Sequence, residues 1–104
     1  MDSSCIIGIQ HVFGQIEYIT IYWDGQGVEQ ILQEYYLKRE DVIHMIRGGS
    51  RPFLDEPDVL LEEIGDSPKL VRTYQEFFNI KEHTPQYYYL FTTDNSWVSD
   101  VAYT

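Results

Sequence analysis

Several stretches of the chain alternate apolar and polar side chains with a period of two, and others repeat apolar positions every three or four residues. The first pattern places a row of side chains on each face of a strand, and the second a stripe along a helix. Residues 4–12, SCIIGIQHV, read as a strand with Cys5, Ile7, Ile9 and His11 on one face and Ile6, Gly8, Gln10 and Val12 on the other. Phe13, Gly14 and Gln15 make a short turn. Residues 16–23 return as a second strand, in which Ile19, Ile21 and Trp23 alternate with Tyr18, Thr20 and Tyr22. The two predict an antiparallel hairpin with Trp23 on its more apolar, buried face.

Asp24-Gly25-Gln26-Gly27 then turns the chain, with Asp24 placed to accept from the amides that follow it. Val28, Ile31, Leu32 and Tyr35 fall on one side of a helix that Lys38-Arg39 close, cations at the negative end of the dipole. A second helix starts with Glu40 and Asp41, faces the core with Val42, Ile43, Met45 and Ile46, and stops at Gly48-Gly49. Phe53 and Leu54 fold back onto the core. One or two helical turns fit between Asp58 and Ile64, ended by Gly65. Ser67 as N-cap and Pro68 at the first helical position predict a third helix over 68–80 that buries Leu70, Tyr74, Phe77 and Phe78 beside Val71. After His83-Thr84-Pro85, residues 86–93 and 97–103 make a second hairpin around Asp94-Asn95-Ser96. Trp97, Val101 and Tyr103 share one face of its last strand, Asp100 the other. The order ββ, helices, ββ predicts one α+β domain over 1–104. It is two-layer, an antiparallel sheet from the N- and C-terminal hairpins with about three helices on one face.

Composition supports a folded chain: of 104 residues, 43% are hydrophobic and 15% aromatic. No run approaches the roughly 20 apolar residues of a membrane span. The first ten residues lack a basic segment, and their apolar run is short, so no signal peptide is expected. The single cysteine, Cys5, has no internal partner and fits a reducing cytoplasm. The charge changes the picture most. Seventeen acidic residues against seven basic ones give a net charge of −10. That disfavours direct binding to nucleic acid or to an anionic membrane, which call for basic patches. It either only keeps the chain soluble or suits a basic protein partner.

The residues Tyr22-Trp23-Asp24-Gly25, the following helix with Ile31-Leu32 and Tyr35, the short helix with Val42 and Ile46 running into Gly48, and the last hairpin with Tyr87-Tyr88-Tyr89-Leu90-Phe91 and Trp97-Val98 form a combination. It resembles small phage and prophage proteins with a Trp-Asp-Gly turn after an N-terminal hairpin and a Tyr-Leu-Phe…Trp C-terminal hairpin. The resemblance is weakest over residues 51–68. Gln26-Gly27 stand where that family tends to have Tyr-Pro, and Gly49 where it tends to have Asp. No activity comes with the resemblance. It implies a mobile-element protein acting in a bacterial cell.

Motifs of catalysis are not visible. His11, His44 and His83 have no metal-ligand spacing with one another or with Cys5. Cys5 has no basic neighbour in sequence to activate it, so it reads as a structural thiol. Gly48-Gly49-Ser50 matches neither a nucleophile elbow nor a phosphate loop. Asp55, Glu56 and Asp58 lack the glycine and the closing glutamate of a calcium loop. No cofactor, metal or enzymatic activity is expected. With Glu62, Glu63 and Asp66, however, these acids belong to a segment, 55–66, that holds six acids and no base. It reads either as a solvated loop or as a row of carboxylates that imitates a phosphate backbone.

Two functions of different kinds follow. One is a phage-encoded acidic inhibitor that binds a basic, nucleic-acid-binding surface of a host defence protein, an anti-CRISPR-like DNA mimic in the bacterial cytoplasm. Its contacts would be Asp55, Glu56, Asp58, Glu62, Glu63 and Asp66. The other is a small-molecule or nucleotide binder using Trp23 and Asp24 at the Trp23-Asp24-Gly25 corner, which calls for a concave pocket lined by Tyr and Trp. A purely structural domain is the remaining reading.

Overall fold

The structure, a computed structural model, describes residues 4–23, 25–54 and 66–101. Its central strand is β1 (Cys5–Gln10), which pairs antiparallel with β2 (Ile16–Ile21) in the register Cys5↔Ile21 to Gln10↔Ile16. Then come α1 (Gly25–Tyr35), α2 (Arg39–Arg47), β3 (Lys69–Val71), α3 (Tyr74–Phe78), β4 (Tyr87–Phe91) and β5 (Trp97–Val101). The five strands form one sheet in the order β3-β2-β1-β4-β5.

The α+β class, the two hairpins and the number of helices among the described residues stand as the pattern implied. The sheet itself is mixed. β4 lies parallel to β1, from Cys5↔Tyr87 to Ile9↔Phe91, while the other pairings are antiparallel. The long excursion between β2 and β4 brings the chain back to the end where β1 begins. There the Gln86 amide donates to the Ser4 carbonyl at 3.0 Å.

The helices divide between the two faces, so the domain has three layers. On one face Ile7, Ile9, Ile19, Ile21, Tyr89 and Phe91 pack against Val28 and Leu32 of α1, Tyr36, and Val42, Met45 and Ile46 of α2. On the other, Ile6, Ile16, Tyr18, Tyr88 and Leu90 pack around Phe77 of α3 and Ile80. Gly8 permits this second contact. A Cβ there would lie 2.5 Å from Phe77 Cε1 and 2.8 Å from Ile16 Cγ2.

The segment 68–80 differs most from its sequence reading. It is not one helix. Lys69–Val71 extend along β2, pairing Ile16↔Val71 and Tyr18↔Lys69, which turns Leu70 outward at 61% exposure. Ser67 and Pro68 precede this strand and cap nothing helical. The N-cap is Thr73, whose hydroxyl oxygen accepts from the Glu76 amide at 3.1 Å. Thr73-x-x-Glu76 is a capping-box spacing, so α3 starts there. Tyr74 stays exposed, while Phe77 is buried.

Smaller corrections follow from where elements end. β2 stops at Ile21, so Trp23 stands beyond it and is 43% exposed rather than buried. Trp97 is half-buried: its ring meets Phe91 edge-on at 5.0 Å and its Nε1 donates to the Tyr36 carbonyl at 2.8 Å. Tyr36, rather than Tyr35, is the buried tyrosine after α1. Arg39 begins α2 instead of closing α1. Leu54 is buried, as expected, but Phe53 is not. The C-terminal end of α2 is closed by Gly49, at φ +93°, and by the buried Arg51, whose guanidinium donates to the carbonyls of Gly49 (3.0 Å) and Met45. The helical turns expected at 58–64, and Tyr103, lie outside the described residues.

Phe77→Ala should cost about 3–5 kcal/mol, the usual loss for deleting a buried large aromatic. Trp23→Ala should cost less than half of that in the same urea melts. Gly8→Ala should destabilise by about 1–3 kcal/mol through overpacking. Because it presses on Phe77, the Gly8→Ala and Phe77→Ala double variant should lose less than the two single losses added.

Candidate functional site

Of the acids singled out in sequence, Asp55, Glu56, Asp58, Glu62 and Glu63 lie outside the described residues, as does Asp24. Asp66 is described: it is exposed, and its carbonyl accepts from the Ser50 amide at 2.9 Å. Trp23 is exposed at the end of the sheet where β1 begins. Nearby, Tyr22 meets His83 edge-on at 5.2 Å. Trp23 lines none of the three clefts described next.

A cleft of about 690 Å³, the largest of the three, lies at the opposite end of β1. It is built by the β1–β2 turn, the outer side of α2, the edge strand β3 and the β4–β5 turn. The first turn is wider than expected, closed by His11 N donating to the Gln15 carbonyl at 2.8 Å, with Gly14 at φ +95°. It leaves Val12 81% and Phe13 90% exposed. The register opposes Glu17 to Ile9, which puts its carboxylate on the α2 side of the sheet. Glu17 Oε1 is 3.0 Å from His11 Nε2, and Oε2 is 3.9 Å from Arg47 Nε. With His11 neutral, this contact calls for the tautomer protonated on Nε2.

Arg39, at the first turn of α2, ties both hairpins together. Its guanidinium donates to the Thr92 carbonyl (3.1 Å), to Asn95 Oδ1 (3.3 Å) and to the Gln10 carbonyl, and sits 5.8 Å from the Phe91 ring centroid. The β4–β5 turn is itself braced by the Thr92 and Ser96 hydroxyls on the Asp94 carboxylate. The Thr92 bond, then that of Ser96, holds the Asp94 carboxyl below its ordinary pKa.

A second cleft, about 360 Å³, runs between α1 and the β4–β5 hairpin at the Trp23 end of the sheet. Glu29, Gln30 and Gln33 line it from the helix, Tyr87 and Asp100 from the strands. Tyr87 stacks on Tyr89 at 6.4 Å with the rings 6° apart, and the Tyr89 hydroxyl donates to the Gly25 carbonyl at 2.8 Å. The lining carries Glu29 and no cation; Asp100 borders it too, but its register opposite Tyr88 puts its side chain on the α3 side of the sheet. Asp100 also borders a third cleft, of about 370 Å³, between α3 and β5. Burial, with a smaller push from the Asp100 charge, raises the Tyr88 phenol.

The remaining ionic contact of note is exposed. Lys69 donates to Glu82, a hydrogen bond that raises the lysine, and His83 Nε2 lies 3.6 Å from the same carboxylate. Cys5 is fully buried. Among the described residues no group of three or more His, Cys, Asp or Glu is arranged to hold a metal ion, and no helix is long and apolar enough to cross a membrane.

Sequence spacing treated His11 as isolated. Its partner Glu17 arrives only through hairpin register, and the arginines through packing of α2 on that hairpin. Compared with known proteins, the chain matches no family model, no curated protein and no solved structure.

Arg39→Lys, which keeps the charge but not the planar fork, should lower stability by about 1–3 kcal/mol, read by thermal melts. Asp94 should titrate below its ordinary value of 3.8 in carboxyl-carbon NMR. A depressed native pKa means that the stability it supplies is present above the unfolded value and is lost as pH falls through the native one. Asp94→Asn should therefore flatten the pH dependence of stability in the acid range below 3.8.

Proposed function

We propose that the protein is a small acidic interaction protein, which binds the basic, nucleic-acid-binding surface of another protein and competes with nucleic acid for it. The observation that carries this reading is the unequal disposition of charge. Of the seven basic residues, Arg51 is buried, Arg39 donates to three acceptors and Lys69 is bound to Glu82, which leaves Lys38, Arg47, Arg72 and Lys81 as exposed cations. The carboxylates of Glu29, Glu34, Glu40, Asp66, Glu76 and Asp100 belong to exposed residues. Among the described residues, acidic side chains therefore outnumber basic ones on the exposed surface, in keeping with the net charge of −10. Such a surface steers a cationic partner and disfavours nucleic acid itself.

Glu29 on α1 and Asp100 on β5 are described parts of that surface, and the segment 55–66 holds six acids in sequence. The resemblance to phage and prophage proteins narrows the partner to host defence proteins in the bacterial cytoplasm, with anti-CRISPR-like inhibition as the expected effect. The binding of a small molecule at Trp23 and Asp24 has less support, since Trp23 lines none of the three described clefts and Asp24 lies outside the described residues.

Affinity capture from a bacterial host lysate, with and without nuclease, tests the reading. A basic protein should be recovered, and more of it after nucleic acid is digested. Charge reversal at Glu29 and Asp100 should slow association by about tenfold at 0.1 M salt, where screening acts over about 10 Å, while melts move by less than about 0.5 kcal/mol. Capture that is indifferent to nuclease and to salt would contradict competition with nucleic acid.

A further inference from the structure

We propose that the cleft at the β1–β2 turn binds a small anion, a carboxylate or phosphate monoester that carries an aromatic or alkyl group. This site is distinct from the acidic surface and has the opposite charge preference.

The cleft gathers two guanidiniums, Arg39 and Arg47, around a single carboxylate, Glu17. With His11 neutral it is net positive, and protonation of His11 adds to that. On a chain of net charge −10 such a concentration is unusual. The arginines divide the work. Arg39 is held in place by the Gln10 and Thr92 carbonyls and Asn95, which leaves its Nε–H and one Nη2 hydrogen for a ligand. Arg47 is 64% exposed and meets Glu17 through Nε at 3.9 Å, so its Nη1 and Nη2 edge can take a planar or tetrahedral oxyanion in the two-pronged manner.

The same cleft is lined by Phe13, Val12 and Leu70, exposed at 90%, 81% and 61%. Large apolar side chains left in water beside oriented guanidiniums match a ligand with a charged head and an apolar body. The rest of the molecule sets the ligand's size. The acidic surface repels a polyanion along its whole length, whereas a small anion feels mainly charges within about 8 Å at physiological salt. The cleft therefore suits a small anion and not nucleic acid.

Glu17 has a definite role in this account. It orients His11 and partly neutralises Arg47, so it competes with the ligand. Removing its charge must strengthen anion binding, which a merely structural carboxylate would not do.

The experiment is an NMR titration of the full chain with phenyl phosphate and benzoate, with inorganic phosphate as the charge-only probe and benzyl alcohol as the apolar-only probe. Phenyl phosphate should shift the amides of Phe13, Glu17 and Leu70 saturably, with a Kd at or below about 1 mM. Arg47→Glu should weaken it about tenfold or more. Phe13→Ala should weaken phenyl phosphate and leave inorganic phosphate unchanged, and Glu17→Gln should tighten both. Thermal melts would verify that Arg47→Glu and Phe13→Ala, both changes at exposed side chains, still fold. No saturable shift up to about 10 mM, or shifts that survive Arg47→Glu in a folded protein, would overturn the proposal.

Discussion

The pairing of β1 with β4 is the constraint on which the rest of the molecule depends. β1 is bonded on both edges, antiparallel to β2 and parallel to β4, and Cys5, Ile6, Ile7 and Ile9 are fully buried. A strand enclosed on both edges and both faces needs a packed layer above and another below. α1 and α2 supply one, Phe77 and Ile80 the other. Gly8 sits where the second layer presses closest to the backbone. If β4 left β1, both cores would lose a wall at once.

The same pairing organises the surface. It sets the two hairpin turns side by side at one end of the sheet, where Arg39 can reach a carbonyl of each, at Gln10 and Thr92. The arginine that locks the fold thereby becomes a wall of the cleft that also holds His11, Glu17 and Arg47. At the other end, the cleft between α1 and the β4–β5 hairpin carries Glu29 and no cation. The cleft with the two arginines and the cleft with Glu29 thus lie at opposite ends of the sheet. The proposed basic partner and the proposed small anion would therefore not compete for the same groups.

Much of the fold was legible in the chain. The alternating isoleucines of β2, the stripe of Val28 and Leu32 and the stop at Gly48-Gly49 are local signals, and each stands. The failures came where a signal was nonlocal or was outweighed. The runs Ile6-Ile7 and Tyr88-Tyr89-Leu90 have no polar alternation, which is the mark of a strand covered on both faces. Read as ordinary hairpin strands, they gave two layers instead of three. Pro68 looked like a helix start, but edge pairing with β2 captured Lys69–Val71, and the capping pair Thr73 and Glu76 lay five residues further on. Trp23 was placed in the core because the second strand was extended two residues too far. The His11–Glu17 contact depends on hairpin register and on a turn wider than the three residues expected, so no spacing rule finds it. The acids of segment 55–66 were legible as composition; of those named as contacts, only Asp66 lies within the described residues.

Native-state hydrogen exchange along β1 tests the central pairing most directly. Successive amides of a strand point to opposite edges, so those of β1 must alternate between β2 and β4. The account predicts that every amide from Ile6 to Ile9 exchanges slowly, at rates set by global unfolding. A pattern in which every second amide of β1 exchanges as fast as the outer edges of β3 and β5 would contradict it. That pattern would mean that β1 has one partner rather than two.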